Sequence, residues 1–130
     1  MHSCQLRVRT YECDNYGHVN NATYLNYLEY ARLELLRAEN IDYLGMIKDG
    51  FGIFIAEVNI QYLKGALADD ILTITTTPVD SGGAFGVVQQ EIWRGEELIT
   101  RAKVKWVSVD SQGRPRRIPP QIKNSRFMIP

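Results

Sequence analysis

Residues 22–39, ATYLNYLEYARLELLRAE, hold neither glycine nor proline and carry apolar side chains at helical spacing. Tyr24, Leu28, Ala31, Leu35 and Ala38 form one stripe, widened by Leu25 and Leu36, while Glu29, Arg32, Glu34 and Arg37 decorate its flanks. Apolar residues returning every three or four positions mark one face of an α-helix. At ~1.5 Å per residue the segment makes a helix about 27 Å long. The flanking sequence reads differently. Residues 4–12 alternate, with Leu6, Val8 and Thr10 on one side and Arg7, Arg9 and Tyr11 on the other, the period of a half-buried strand. Beyond a looser stretch to Gly52, residues 53–63, 71–79, 84–93 and 98–110 read as four more strands, rich in β-branched and aromatic side chains. Asp80-Ser81-Gly82-Gly83 and Arg94-Gly95-Glu96-Glu97 have the composition of hairpin turns. The tail, with Pro119 and Pro120, is expected to be irregular or weakly helical.

The order β-α-β-β-β-β restricts the architecture. A single long helix must bury its stripe against a sheet. Four consecutive strands joined by short connections are expected to form an antiparallel meander that the first strand joins, with the strand of residues 53–63 lying centrally. The expected fold is α+β: one domain, residues 1–130, in which a sheet of about five antiparallel strands surrounds one central helix. Such a sheet exposes edges, so association with further copies is expected.

Composition narrows the partners. The chain has 130 residues, 45% hydrophobic and 23% charged, with 15 Lys+Arg against 15 Asp+Glu and a formal net charge of zero. Nucleic acid and anionic membranes both favour a basic excess, so neither is expected as the main partner. The balance is uneven: residues 1–93 hold 6 basic and 12 acidic groups, and residues 94–130 hold 9 basic and 3 acidic. Cys4 and Cys13 are too few for a disulfide scaffold and are expected to be free thiols. The first residues run straight into the alternating strand, without a basic and then apolar leader. No apolar run approaches the ~20 residues that span a bilayer. A soluble cytoplasmic protein is the expectation.

Several familiar sites are missing from the sequence: no G-x-S-x-G, no phosphate-binding G-x-x-x-x-G-K-[ST], no G-x-G-x-x-G and no H-E-x-x-H. With His2 and His18 as the only imidazoles and no cysteine pair at ligand spacing, neither zinc nor a cofactor is expected. The chemistry-bearing stretch joins the first strand to the helix: Asp14-Asn15-Tyr16-Gly17-His18-Val19-Asn20-Asn21. It sets a carboxylate, an imidazole and three amides beside a helix N-terminus. Unpaired N–H groups and a partial positive charge there can polarise a carbonyl oxygen. A nearby carboxylate can attack the carbonyl carbon or activate water against it. Together they are the minimum set for hydrolysing an activated acyl group. On the residues alone a second reading stands beside it, in which Asp14 opens an Asx-turn and Asn20 or Asn21 caps the helix.

The run D-N-Y-G-H-V-N-N-A-T-Y-L-N-Y-L-E-Y-A-R, residues 14–32, resembles the acyl-CoA thioesterases of the 4-hydroxybenzoyl-CoA thioesterase type, which have the hotdog fold. It is similar in particular to the branch with the signature D-x-x-G-H-V-N-N-x-x-Y-x-x-x-x-E-x-A-R. Ile60-Gln61-Tyr62-Leu63-Lys64, Asp69-Asp70-Ile71-Leu72-Thr73 and Arg116-Arg117-Ile118-Pro119 resemble later parts of that family, so the likeness covers essentially the whole chain. It implies a hotdog sheet around one helix and hydrolysis of acyl-CoA or acyl-carrier-protein thioesters, with a tilt toward fatty acyl groups.

The resemblance implies that Asp14 is the catalytic carboxylate, as nucleophile or general base. A backbone N–H at or near Asn21 polarises the thioester carbonyl. His18 either orients Asp14, the water or the loop, or is structural. Tyr16 and Tyr24 are candidate substrate contacts, although a tyrosine at helical spacing fits the core first. Glu29 and Arg32, three apart on the helix, are assigned a structural role. In this family two subunits pair edge to edge with active sites at the interface, which implies a homodimer or homotetramer. Glu57, Val58 and Asn59 are then the candidates facing the partner's Asp14 loop. Lys64, Arg114, Arg116 and Arg117 are candidates for the coenzyme phosphates. Two other functions stay open. A hotdog hydratase or dehydratase commonly separates Asp from His by four residues and carries a proline between them, whereas three residues separate Asp14 from His18. The other is a non-catalytic acyl-thioester binding module.

Overall fold

The computed structural model describes all 130 residues. Five strands, β1 (His2–Arg7), β2 (Gly52–Tyr62), β3 (Ile71–Ser81), β4 (Phe85–Arg94) and β5 (Glu97–Val109), form one sheet in the order β1-β3-β4-β5-β2. Every neighbouring pair is antiparallel. The long helix α1 (Asn21–Ala38) lies on one face, against β1 and β3. Gly95, at φ +60, turns the β4–β5 hairpin, a conformation that costs glycine little.

The meander has three strands, not four. β2 does not pair with β3; it crosses to the far edge and pairs with β5, from Gly52↔Val109 to Tyr62↔Thr100. The cause lies in residues 63–70, too long for a hairpin turn. Their backbone bonds go elsewhere: Leu63 and Lys64 N–H donate to the Ile99 carbonyl at 2.9 and 3.1 Å, and Val19 N–H donates to Ala66 at 3.0 Å. The strand expected at the centre is therefore an edge strand, and Ala56–Asn59 along it are exposed.

The core joins α1, the inner sheet face and the tail. From α1 it takes Tyr24, Tyr27, Leu28, Ala31, Leu35 and Leu36. Leu25 is 43% exposed, and Ala38 is exposed too, so the stripe is displaced toward Tyr27. The sheet contributes Leu72 and Ile74 of β3, Val88 and Ile92 of β4, and Ala102, Val104 and Trp106 of β5. A polar hook ties helix to sheet. Gln90 Nε2 donates to the Leu28 carbonyl and to Thr76 Oγ1, both at 3.0 Å, and Gln90 Oε1 accepts from Arg32 Nη1 at 3.0 Å. Buried polar groups need such partners.

One helix was not anticipated. Helix α2 (Tyr43–Lys48) occupies the stretch read as loose, with Asp42 as its N-cap accepting from Gly45 N–H at 3.1 Å. The tail forms a short helix α3 (Pro120–Lys123), as its weak helicity suggested, and then turns inward. Phe127 stacks on Trp106 with ring centroids 5.0 Å apart, and Ile118, Ile122 and Met128 are buried with it.

Candidate active site

Asp14 sits on a loop folded back on itself. Cys13 and Val19 form an isolated antiparallel bridge, and Asp14 N–H donates to the His18 carbonyl at 2.8 Å. Gly17, at φ +78, closes the turn, its N–H donating to the Asp14 carbonyl at 3.1 Å. Asp14 Oδ1 accepts from Tyr16 N–H at 2.8 Å and from His18 N–H at 3.2 Å. One carboxylate oxygen is thereby fixed by backbone donors while Oδ2 carries no bond within the chain. The Asx-turn reading of the sequence is correct, and it leaves the second oxygen available to a reacting group.

The helix start lies beside this loop because Asn20 N–H donates to the Glu12 carbonyl at 3.1 Å. Asn20 is the N-cap residue of α1 but contributes no side-chain cap bond. Thr23 N–H bonds to the Asn20 carbonyl at 2.9 Å, whereas Asn21 and Ala22 N–H have no acceptor in the chain. Two such donors at the positive end of an eighteen-residue helix can stabilise negative charge on an oxygen placed beside them.

Tyrosines hold the helix start in place. Tyr27 donates its hydroxyl to Glu12 Oε1 at 2.9 Å, and that oxygen also accepts Arg9 N–H at 2.8 Å. Burial first, then the bond to Glu12, pushes the Tyr27 phenol well above its ordinary pKa. Tyr24 accepts Ala66 N–H at 2.9 Å, and burial raises its phenol likewise. Tyr62, on β2, donates to the Asn21 carbonyl at 3.0 Å, its ring meeting Tyr24 edge-on at 5.2 Å. The end of β2 is thus latched to the first turn of α1.

Residues 63–70 form the floor of the loop. His18 is bridged to Leu67, and Ala68 N–H donates to the Gly17 carbonyl at 3.1 Å. The His18 ring lies so close to Gly65 that a Cβ there would meet Nδ1 at 3.1 Å. This floor is clamped by Arg94, whose Nη1 donates to the Gly65 carbonyl at 3.1 Å and to Asp70 Oδ2 at 2.8 Å, while Nη2 reaches Glu97 at 2.7 Å. Lys64 pairs with Glu97 at 2.6 Å. Its bond first, then that of Arg94, holds the Glu97 carboxyl below its usual range.

The structure brings together Asp14, Tyr16, His18 and Asn21. Tyr16 is 86% exposed at the tip of the loop. His18 touches Asp14 through its backbone, and its ring makes no hydrogen bond to the carboxylate. Tyr24 is 2% exposed and braces the site from beneath. Val58 shares the inner sheet face with Ile60 and Tyr62, in register with Val104, Ala102 and Thr100, and is 37% exposed. Glu57 and Asn59 pair with Lys105 and Lys103 and point to the opposite face. There they line a separate cavity of about 230 Å³, away from Asp14 of their own chain. Lys64 lies at the floor with its ammonium already paired. Sequence reading missed Glu12, Tyr62 and the Arg94 clamp. Their bonds to Tyr27, Asn21, Gly65 and Asp70 span 15 to 41 residues, beyond any local spacing rule.

Comparison with known proteins gives a consistent picture. The family model described as "Thioesterase-like superfamily" matches residues 8–125. The chain is 36% identical over 109 residues to the long-chain acyl-CoA thioesterase FadM of Escherichia coli (strain K12), covering 82% of this chain and 81% of that protein. It is 31% identical over 129 residues to the chloroplastic acyl-acyl carrier protein thioesterase ATL3 of Arabidopsis thaliana, covering 98% and 67%. Among solved structures, a probable thioesterase from Bartonella henselae superposes with a TM-score of 0.86 at 30% identity, covering 91% of this chain and 98% of that one.

Proposed function

The chain belongs to the thioesterase-like superfamily and is a hotdog-fold thioester hydrolase; on that premise we propose that it cleaves fatty acyl-CoA thioesters with Asp14 as general base. The observation that carries this is the division of labour at Asp14. Oδ1 is pinned by two backbone N–H groups, and Oδ2 is unbonded on an exposed loop beside free helix N–H donors.

The thioester carbonyl oxygen accepts from Asn21 and Ala22 N–H, which makes the carbon electrophilic. Oδ2 of Asp14 takes a proton from water as the water oxygen bonds to that carbon. The tetrahedral intermediate collapses, the C–S bond breaks, and the departing thiolate takes the proton, leaving free acid and thiol. The Asp14 loop is open to solvent, so water reaches the carboxylate directly. The acyl chain follows the seam between α1 and β2, where Leu25, Val58 and Tyr62 are exposed apolar residues.

The working form is a homodimer joined along β2. This edge has eleven residues, no proline and Glu57 as its single charge, and it exposes Phe54, Val58 and Tyr62. Natural edge strands are ordinarily blunted by lysine, proline or brevity, and a second β2 pairing antiparallel about a two-fold axis covers this one. Thiol release across a panel of acyl-CoA esters tests the activity, with turnover of fatty acyl chains expected. Addition of water to crotonyl-CoA without thiol release would instead favour a hydratase. Binding without turnover of any ester would favour an acyl-thioester binding module.

A further inference from the structure

Two N–H groups at the start of α1 have no acceptor in the chain, and each belongs to a peptide group whose carbonyl is engaged. The Asn21 N–H shares its peptide with the Asn20 carbonyl, which accepts Thr23 N–H at 2.9 Å. The Ala22 N–H shares its peptide with the Asn21 carbonyl, which accepts the Tyr62 hydroxyl at 3.0 Å. The helix itself supplies the first bond. The second comes from β2, 41 residues along the chain from Asn21. Only two side chains donate to carbonyls of α1: Gln90 to Leu28 in the middle, and Tyr62 to Asn21 at the start. The Gln90 bond is buried and ties helix to sheet. The Tyr62 bond is exposed, and an exposed bond adds little to stability because water can replace either partner.

Tyr62 is nevertheless held firmly. Its backbone is in register with Thr100 at the end of β2, and the next two residues, Leu63 and Lys64, bond to the Ile99 carbonyl at 2.9 and 3.1 Å. Its ring meets the buried Tyr24 ring edge-on, with centroids 5.2 Å apart. Tyr24 is itself fixed by Ala66 N–H at 2.9 Å. A phenol held by strand, ring and floor keeps its donor on a single carbonyl. That oxygen has two lone pairs, so it takes the phenol in addition to a helical donor.

A peptide group is conjugated. A hydrogen bond to its oxygen draws electron density from nitrogen toward oxygen and leaves the N–H of the same group a stronger donor. Linked hydrogen bonds strengthen one another in this way by about 10–30% per bond. We propose that Tyr62 is a positioning residue for the reaction: its hydroxyl polarises the Asn21–Ala22 peptide and strengthens the Ala22 N–H as a donor to the oxyanion of the tetrahedral intermediate. The proposal rests on the thioesterase reading and adds to it a residue of β2 that touches no reacting atom. The gain is greatest when the carbonyl oxygen carries full charge, so it falls on the transition state more than on the bound thioester. Loss of a whole oxyanion donor costs about 10²–10³ in rate, and about 10–30% of those two to three decades is roughly two- to eightfold.

The test measures thiol release from a fatty acyl-CoA by wild type, by Tyr62→Phe, and by proteins carrying a mono- or difluorinated tyrosine at position 62 alone. Phenylalanine keeps the ring against Tyr24 and removes the donor. Its kcat should fall about two- to eightfold, with KM and the thermal midpoint unchanged. The fluorinated rings keep the hydroxyl and make it a progressively stronger donor. At a mildly acidic pH that leaves these phenols protonated, kcat should rise with each fluorine. A latch that merely held strand to helix would respond to loss of the hydroxyl but not to its acidity. A fall in kcat for Tyr62→Phe beside a flat fluorotyrosine series therefore overturns the proposal. So does Tyr62→Phe with wild-type kcat, or with a change in KM or thermal midpoint alone. A wild-type protein that releases thiol from no ester would instead refute the proposed function on which this inference rests.

Discussion

Asp14 is held by backbone donors alone, and a neutral isostere can occupy the same turn. Asparagine keeps an oxygen for Tyr16 and His18 N–H, so Asp14→Asn should leave the thermal midpoint unchanged while removing the base. Tyr27 behaves in the opposite way. Its hydroxyl bond to Glu12 is a partly buried, charge-assisted contact, and Tyr27→Phe should cost about 1–2 kcal/mol of stability. Denaturant unfolding checks this, and a midpoint equal to wild type would count against a structural role for the contact. Cys4 supplies a pH signature. Burial raises its thiol to about 11, above the 9.0 of an unfolded chain. The folded state then holds a proton that the unfolded state releases, so stability is intact below about pH 9 and declines as pH rises toward 11. Alkylation of Cys4 by iodoacetamide at pH 8 should be much slower than that of a free thiol.

At the scale of elements, β4 and β5 approach each other closely at Gly86. A Cβ on Gly86 would lie 2.6 Å from the Trp106 ring. Gly86→Ala should therefore destabilise by about 1–3 kcal/mol through overpacking, measured by thermal or denaturant melts. Helix α1 and all five strands were legible from period alone, but the first was read as far as Glu12, whereas β1 ends at Arg7 and Thr10–Glu12 form a 3-10 helix. The pairing partner of β2 was not, because alternation reveals a strand but not its neighbour, and the bonds that carry residues 63–70 across the sheet go to Ile99 and to the loop before α1. The buried tail was hidden for a related reason: Pro119 and Pro120 signal a break in regular structure, and nothing local shows that Phe127 will stack on Trp106. The Asp14 loop was read well from its sequence since its bonds are local, two to four residues apart. Glu57 and Asn59 share one parity and Val58 the other, as expected, but which face each took depended on the register with β5.

For the whole molecule, the neutral total hides two ends of different character. Coenzyme phosphates received by exposed cations are screened by salt, so raising it from about 0.05 to 0.5 M should raise KM for acyl-CoA. S-acyl pantetheine should show little change. Light scattering during size-exclusion chromatography should give the mass of two chains or a multiple of it, and Val58→Lys on the exposed β2 edge should shift the population toward the monomer with loss of activity. An active wild-type monomer would count against the pairing. The central claim concerns Asp14, and its most direct test is the steady-state rate of thiol release from a fatty acyl-CoA by wild type and Asp14→Asn at saturating substrate. A fall in kcat of about 10²- to 10⁴-fold at unchanged thermal midpoint is predicted, and equal rates for the two proteins would contradict it.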